Sequence, residues 1–210
     1  LDALGVVHRD VKPENLVISG LADEGDGDGG GGGNDGGSPH LTLIDFGYAA
    51  LLTNTSDGLM TGVAGSPEYA APEVLSWLEA EADPTGALQG IPYDASCDVW
   101  SAGVTAHVLL SAELPVEMPA DVGREGSAEF AAQLIAATRE LRSSFRGAVW
   151  ATDALKPARD FISCCLKEEL HDRLTAEELL CHPWMRTVPQ PPQPTAPQPP
   201  QPRTAPESRA

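Results

Sequence analysis

Basic residues are scarce: 13 lysines and arginines stand against 31 aspartates and glutamates in 210 residues, a formal net charge of −18. Such an excess repels phosphate backbones and anionic headgroups, which excludes nucleic acid and membrane surfaces as main partners. It favours positively charged peptides through long-range attraction. No apolar run approaches the ~20 residues that span a bilayer, and no charged-then-apolar leader opens the chain. Cysteine is rare too. Cys97, Cys164, Cys165 and Cys181 are four, two of them adjacent, which does not suit a secreted disulfide framework. Reduced, buried thiols in an intracellular protein are expected.

Three compositions follow one another. Residues 19–40 contain DEGDGDGGGGGNDGG, glycine and acid with almost nothing to bury, and read as a flexible insertion. Residues 187–210 are a Pro/Gln tail, expected to be extended or disordered. The remainder, within residues 1–186, reads as one folded domain. Leu16-Val17-Ile18 and Leu41-Thr42-Leu43-Ile44 flank the insertion and predict one small β-hairpin. From Ser96 to Leu110 apolar residues go almost all the way round at helical spacing, which predicts a helix buried on every side. Asp98 lies in it and needs a partner there. Leu155, Ala158, Ile162 and Cys165 recur at three- and four-residue steps, marking an amphipathic helix. Thr175-Ala-Glu-Glu178 is a capping box that opens a short last helix. The fold class is therefore mainly α, with little strand.

Chemistry concentrates in three motifs. His8-Arg9-Asp10-Val11-Lys12-Pro13-Glu14-Asn15 spaces a carboxylate, an ammonium and a side-chain amide over one short loop. That spacing suits a carboxylate reaching an incoming hydroxyl and a second oxygen reaching a metal on phosphates. Asp45-Phe46-Gly47 follows the second strand, and Gly65-Ser66-Pro67-Glu68-Tyr69 runs into Ala71-Pro72-Glu73. Their order is more specific than any one of them.

With these motifs the chain resembles a protein kinase, most like the calcium/calmodulin-dependent group in its C-terminal lobe. Tyr93-Asp94, Cys97-Asp98-Val99-Trp100-Ser101, Arg159-Asp160-Phe161-Ile162, His171-Asp172-Arg173-Leu174-Thr175-Ala176 and His182-Pro183-Trp184 extend the resemblance to about residue 185. The resemblance implies an α+β family fold and an enzyme that moves the γ-phosphoryl of ATP, with Mg2+, to a serine or threonine of a protein substrate. It implies Asp10 as the residue that meets the substrate hydroxyl and Lys12 as the charge on the transferring phosphoryl. Asn15 and Asp45 would hold magnesium, and Val17 would floor the adenine. Gly65, Ser66, Pro67 and Glu68 would form the pocket for the residue after the acceptor. His8, Phe46 and Gly47 would be structural, Asp98 would anchor the catalytic-loop backbone, and Glu73 with Arg173 would form a buried ion pair. Arg9 implies an activation segment ordered by an upstream kinase, with Thr53, Thr55, Ser56 and Thr61 as candidates. Use of ATP adds to the expectation of an intracellular, cytoplasmic protein.

The chain holds no G-x-G-x-x-G followed by a strand lysine, so the N-terminal lobe of such a fold is expected to be absent from it. A lobe alone should be almost no catalyst, because phosphoryl transfer is nearly all positioning and electrostatics. The alternative is a non-catalytic, pseudokinase-like lobe that binds or scaffolds. Ala112-Glu113-Leu114-Pro115-Val116 departs from the pattern of the family, where a glycine, aromatics and two prolines are usual.

Overall fold

The helix Ser96–Ser111 organises the molecule. A computed structural model describes residues 1, 4–20, 39–116, 128–139 and 145–186. The Gly/Asp-rich body of the insertion and the Pro/Gln tail lie outside the described residues. In chain order the elements are β1 (Val6–Val7), β2 (Leu16–Ser19), β3 (His40–Leu43), β4 (Ala50–Leu51), α1 (Pro72–Ala82), α2 (Ser96–Ser111), α3 (Ala128–Arg139), α4 (Lys156–Cys165), α5 (Ala176–Leu180) and α6 (Pro183–Arg186). Short 3-10 turns at Pro13–Asn15 and Pro67–Tyr69 carry two of the sequence motifs.

Two faces of α2 build two cores. Cys97, Trp100 and Val104 pack with Val7, Met60, Val74 and Tyr93 on the side of the loops. Val99 packs on the other side with Trp150, Phe161, Ile162, Cys165 and Leu179. Val104 and Ile162 are wholly buried, each contributing about 1.5–3 kcal/mol by transfer from water. A Cβ at Gly103 would lie 2.5 Å from the Cys165 Cβ, so glycine lets α2 and α4 approach closely. The third core joins α1 and α3 through Leu75, Phe130, Leu134 and Ile135.

Three expectations need correction. The C-terminal turn of α2 is not buried all round, since Leu109 is 65% exposed. Apolar periodicity alone does not say where the neighbouring elements stop. There are also two small antiparallel ladders among the described residues, not one hairpin. β2 pairs with β3 from Leu16↔Leu43 to Ser19↔His40. β1 pairs with β4 through Val6↔Leu51 and Val7↔Ala50. Two residues per strand are too few to leave an alternation in the sequence, so the second ladder comes from its surroundings. Thr175 caps α5, accepting from Glu178 N while the Glu178 carboxylate accepts from Thr175 N. The four cysteines are free, and Cys181 is exposed where burial was expected.

Candidate active site

β1 delivers the chain into a strained loop. Arg9 has φ of 64°, a left-handed conformation that costs a non-glycine residue ~1–2 kcal/mol. Asp98 holds it in place. Its Oδ2 accepts from His8 N at 2.6 Å and its Oδ1 from Arg9 N at 2.7 Å. Burial pushes the Asp98 carboxyl above the usual range, outweighing the opposing pull of those two backbone hydrogen bonds and of the nearby Arg9 charge. His8 is fully buried, and its Nδ1 accepts from Asp10 N at 3.3 Å. In the neutral ring that leaves Nε2–H to donate to Ile44 O at 3.0 Å. His8 thus bridges the loop to the residue before Asp45, with the Phe46 ring edge-on at 4.8 Å.

Asp10 sits at the centre, 4% exposed. Its Oδ1 accepts from Ser66 N at 3.0 Å, and its Oδ2 from Asn15 Nδ2 at 3.1 Å. Lys12 Nζ lies 3.0 Å from the same Oδ2 and donates to Ser66 Oγ at 2.6 Å. Burial pushes the Asp10 carboxyl up, but the bonds from Lys12, Ser66 and Asn15 and the Lys12 charge hold it below its ordinary value. It is therefore ionised at neutral pH and surrounded by donors. Gly65 makes the approach possible. Its φ is 79°, and a Cβ there would fall 2.0 Å from Arg9 O. Glycine alone lets the Gly65–Glu68 stretch reach the loop, and Pro67 and Glu68 then begin the turn that leads into α1.

Asn15 spends its amide hydrogens on Asp10, donating to the carbonyl at 2.8 Å as well as to the carboxylate. Its Oδ1 has no partner among the described residues. Ile44 N donates to Asn15 O at 2.9 Å, which brings Asp45 beside it. Asp45 is exposed with φ of 61°, and its Oδ1 accepts from Gly47 N at 3.2 Å. Val17 pairs with Thr42 and is 43% exposed, and Phe46 is 48% exposed. The sequence readings of Val17 as an apolar floor and of Phe46 as core packing fall on surfaces that this chain leaves uncovered.

Away from Asp10, Arg173 and Glu73 pair through two parallel bonds, at 2.7 and 3.2 Å, and both are buried. Arg173 also donates to Ser96 O and Lys167 O and lies over the Trp100 ring. Arg9 points the other way, its Nε donating to Tyr48 O at 2.6 Å and its Nη1 to the Tyr93 hydroxyl at 3.4 Å. Sequence reasoning did not single out Tyr48 or Tyr93 as partners of Arg9. Tyr48 acts through a carbonyl, which leaves no side-chain signal. Tyr93 was visible as the residue before Asp94 in the stretch leading to α2, but nothing local tied it to Arg9.

The chain assembles a buried, ionised carboxylate with one ammonium and two amide donors, and the bond from Ile44 N to Asn15 O ties that loop to the segment carrying an exposed second carboxylate, Asp45. Residues 1–185 match the protein kinase domain. The chain is 34% identical over 182 residues to the serine/threonine-protein kinase PEPKR2 of Arabidopsis thaliana, covering 87% of this chain and 29% of that protein. It is 32% identical over 185 residues to human serine/threonine-protein kinase H1, covering 88% of this chain and 35% of that protein. Calcium-dependent protein kinase 25 of Arabidopsis thaliana is 33% identical over 184 residues, covering 88% of this chain and 28% of that protein. The chain thus spans about a third of the length of these curated relatives. By its matched residues and its relatives, it belongs to the protein kinase domain family.

Proposed function

We propose that this chain is the C-terminal lobe of a serine/threonine protein kinase of the calcium/calmodulin-dependent group, which transfers the γ-phosphoryl of ATP to a protein hydroxyl. The observation that carries the reading is the Asp10 carboxylate, ionised and held among Lys12, Asn15 and Ser66. Asp10 orients the substrate hydroxyl and accepts its proton as the oxygen attacks. Lys12, one bond from Asp10 and one from Ser66, sets its charge where the phosphoryl passes. Gly65, Ser66, Pro67 and Glu68 form the pocket for the residue after the acceptor, beside Asp10. Its neighbour Tyr69 is shifted up by burial and by the charges of Glu14 and Glu68, so two acidic side chains stand close to this mouth.

The Asn15 Oδ1 and the Asp45 carboxylate are hard oxygen donors on two segments joined by the bond from Ile44 N to Asn15 O, and such donors suit magnesium. Magnesium, when bound there, would neutralise charge on the phosphates of ATP. Val17 offers the apolar surface under the adenine. Val17, Ile18 and Leu41 on the β2–β3 hairpin and Ile44 and Phe46 in the loop that follows are exposed apolar side chains. That uncovered apolar surface supports the reading of residues 1–186 as a C-lobe that a second lobe would cover, with 19–40 as an insertion and 187–210 as a tail. Alone, the lobe is expected to be inactive. The group assignment draws on the similarity to a calcium-dependent protein kinase.

An upstream kinase acting on Thr61 fits best among the four hydroxyls. The β1–β4 register carries Thr53 and Thr55 toward Gly5, whose carbonyl accepts from Leu52 N. That is four residues from Arg9, ~13 Å along a strand. Thr61 instead lies exposed between Met60 and Gly62, both bonded to Tyr93 beside Arg9. The test of the main proposal is phosphate transfer to a basic serine peptide by the full-length protein and its Asp10→Asn variant. Transfer lost in the variant supports the enzyme. Equal silence of both at native fold would make the chain a binding lobe.

A further inference from the structure

Tyr93 lies just ahead of α2 and is fully buried. Its backbone makes both bonds of an antiparallel bridge, Met60 N to Tyr93 O at 2.7 Å and Tyr93 N to Met60 O at 3.0 Å. Its hydroxyl donates to Gly62 O at 2.9 Å and accepts from Arg9 Nη1 at 3.4 Å. A guanidinium only donates, so the phenol proton must go to Gly62, and the two bonds fit one hydroxyl without conflict. Burial pushes the Tyr93 phenol further up, against the pull of Arg9, so the proton stays through neutral pH.

The two tied pieces both end at Asp10. Arg9 precedes it directly, and Ser66, four residues after Gly62, places its N–H on the Asp10 carboxylate. Asp98, five residues after Tyr93, holds the Arg9 backbone from the same segment. One short stretch therefore grips Arg9 at both ends and the Met60–Gly62 segment as well.

We propose that Tyr93 is a positioning residue for phosphoryl transfer: its hydroxyl ties the Met60–Gly62 segment to the Arg9 guanidinium and so sets the geometry of Asp10 and Ser66. The proposal rests on the reading of Asp10 above and adds a residue that acts through others. Tyr93→Phe keeps the buried ring and removes only the hydroxyl. In the full-length protein it is expected to lower kcat about ten- to a hundredfold while KM for ATP stays unchanged. Amide hydrogen exchange at residues 60–66 should quicken about five- to tenfold, the loss of one hydrogen bond. Combined with Arg9→Gln, it should add little to the cost of that single change.

An unchanged kcat together with unchanged exchange overturns the proposal, as does simple additivity with Arg9→Gln. If the unaltered protein transfers no phosphate, the kinase reading falls by itself. Exchange at 60–66 then decides the tether: faster exchange upholds it and equal exchange ends it. Should Tyr93→Phe fail to fold, exchange in Arg9→Gln reads the same bond from its other end.

Discussion

Among the described residues two buried carboxylates pair with a lysine or arginine, and the pairs are built to opposite ends. Glu73 and Arg173 meet through two parallel bonds, both sealed from water, with carbonyls of Ser96 and Lys167 and the face of Trp100 using the rest of the guanidinium. Asp10 and Lys12 share one contact, and Lys12 keeps 21% of its side chain exposed. The first pair has no direction left in which to act, so it can only hold α1 against the segment before α5. The second is open on one side, and its donors come from two segments that could move apart. A closed pair marks a joint, while an open one marks a place where another molecule completes the set.

The sharpest way to break this comparison is to remove one partner of each pair. Glu73→Ala leaves Arg173 charged and buried, and should cost about 3–5 kcal/mol in urea unfolding. Asp10→Asn should lower the urea midpoint far less than Glu73→Ala does, yet lower phosphate transfer in the full-length protein about 10²–10⁴-fold. A loss of activity without a loss of fold at Asp10, and the reverse at Glu73, is the expected contrast. Equal effects on stability would erase it.

Acid sharpens the same contrast. The Asp10 carboxyl lies lower in the folded chain than in the unfolded one. Its contribution is complete above the unfolded value and is lost as pH falls through the folded one. Asp98 is raised on folding, so its contribution runs the other way and is lost as pH rises through its folded value. Stability measured from neutral pH into acid should therefore have a shallower acid limb in Asp10→Asn and a steeper one in Asp98→Asn.

Smaller effects test the helix ends. Thr175→Ala removes a reciprocal cap and should cost ~1 kcal/mol in thermal or urea unfolding. Ala112 ends α2 with φ of 59°, its N–H on Val108 O at 2.8 Å. Ala112→Gly should therefore stabilise the protein by ~0.5–1 kcal/mol, measured the same way. A destabilising result would mean that the Ala112 methyl packs better than its backbone strain suggests.

The segments of this fold that announced themselves were those whose neighbours in sequence are also neighbours in space. The helix over 96–111, the helix ending at Cys165 and the Thr175 cap follow from spacing of three and four residues. α1 and α3 were not singled out, although each contributes to the third core. α1 opens on Pro72-Glu73 inside a motif, which drew attention to chemistry instead of periodicity. Asp10, Lys12 and Asn15 were legible as one short loop motif, and Asp45 through the order of the motifs, not through its spacing from that loop.

By itself the sequence determined the order of the motifs, the acidic balance and the helical periods, because each depends on residue type and short-range spacing alone. Only the tertiary structure decided that Asp98 holds residues 89 and 90 positions away, that Ser66 caps Asp10 across 56, and that Arg173 reaches Glu73 across 100. It also decided that Tyr93 stands between Arg9 and Gly62. These contacts arise when burial of α2 forces distant loops together, and each loop must then find hydrogen-bond partners among whatever has been brought beside it.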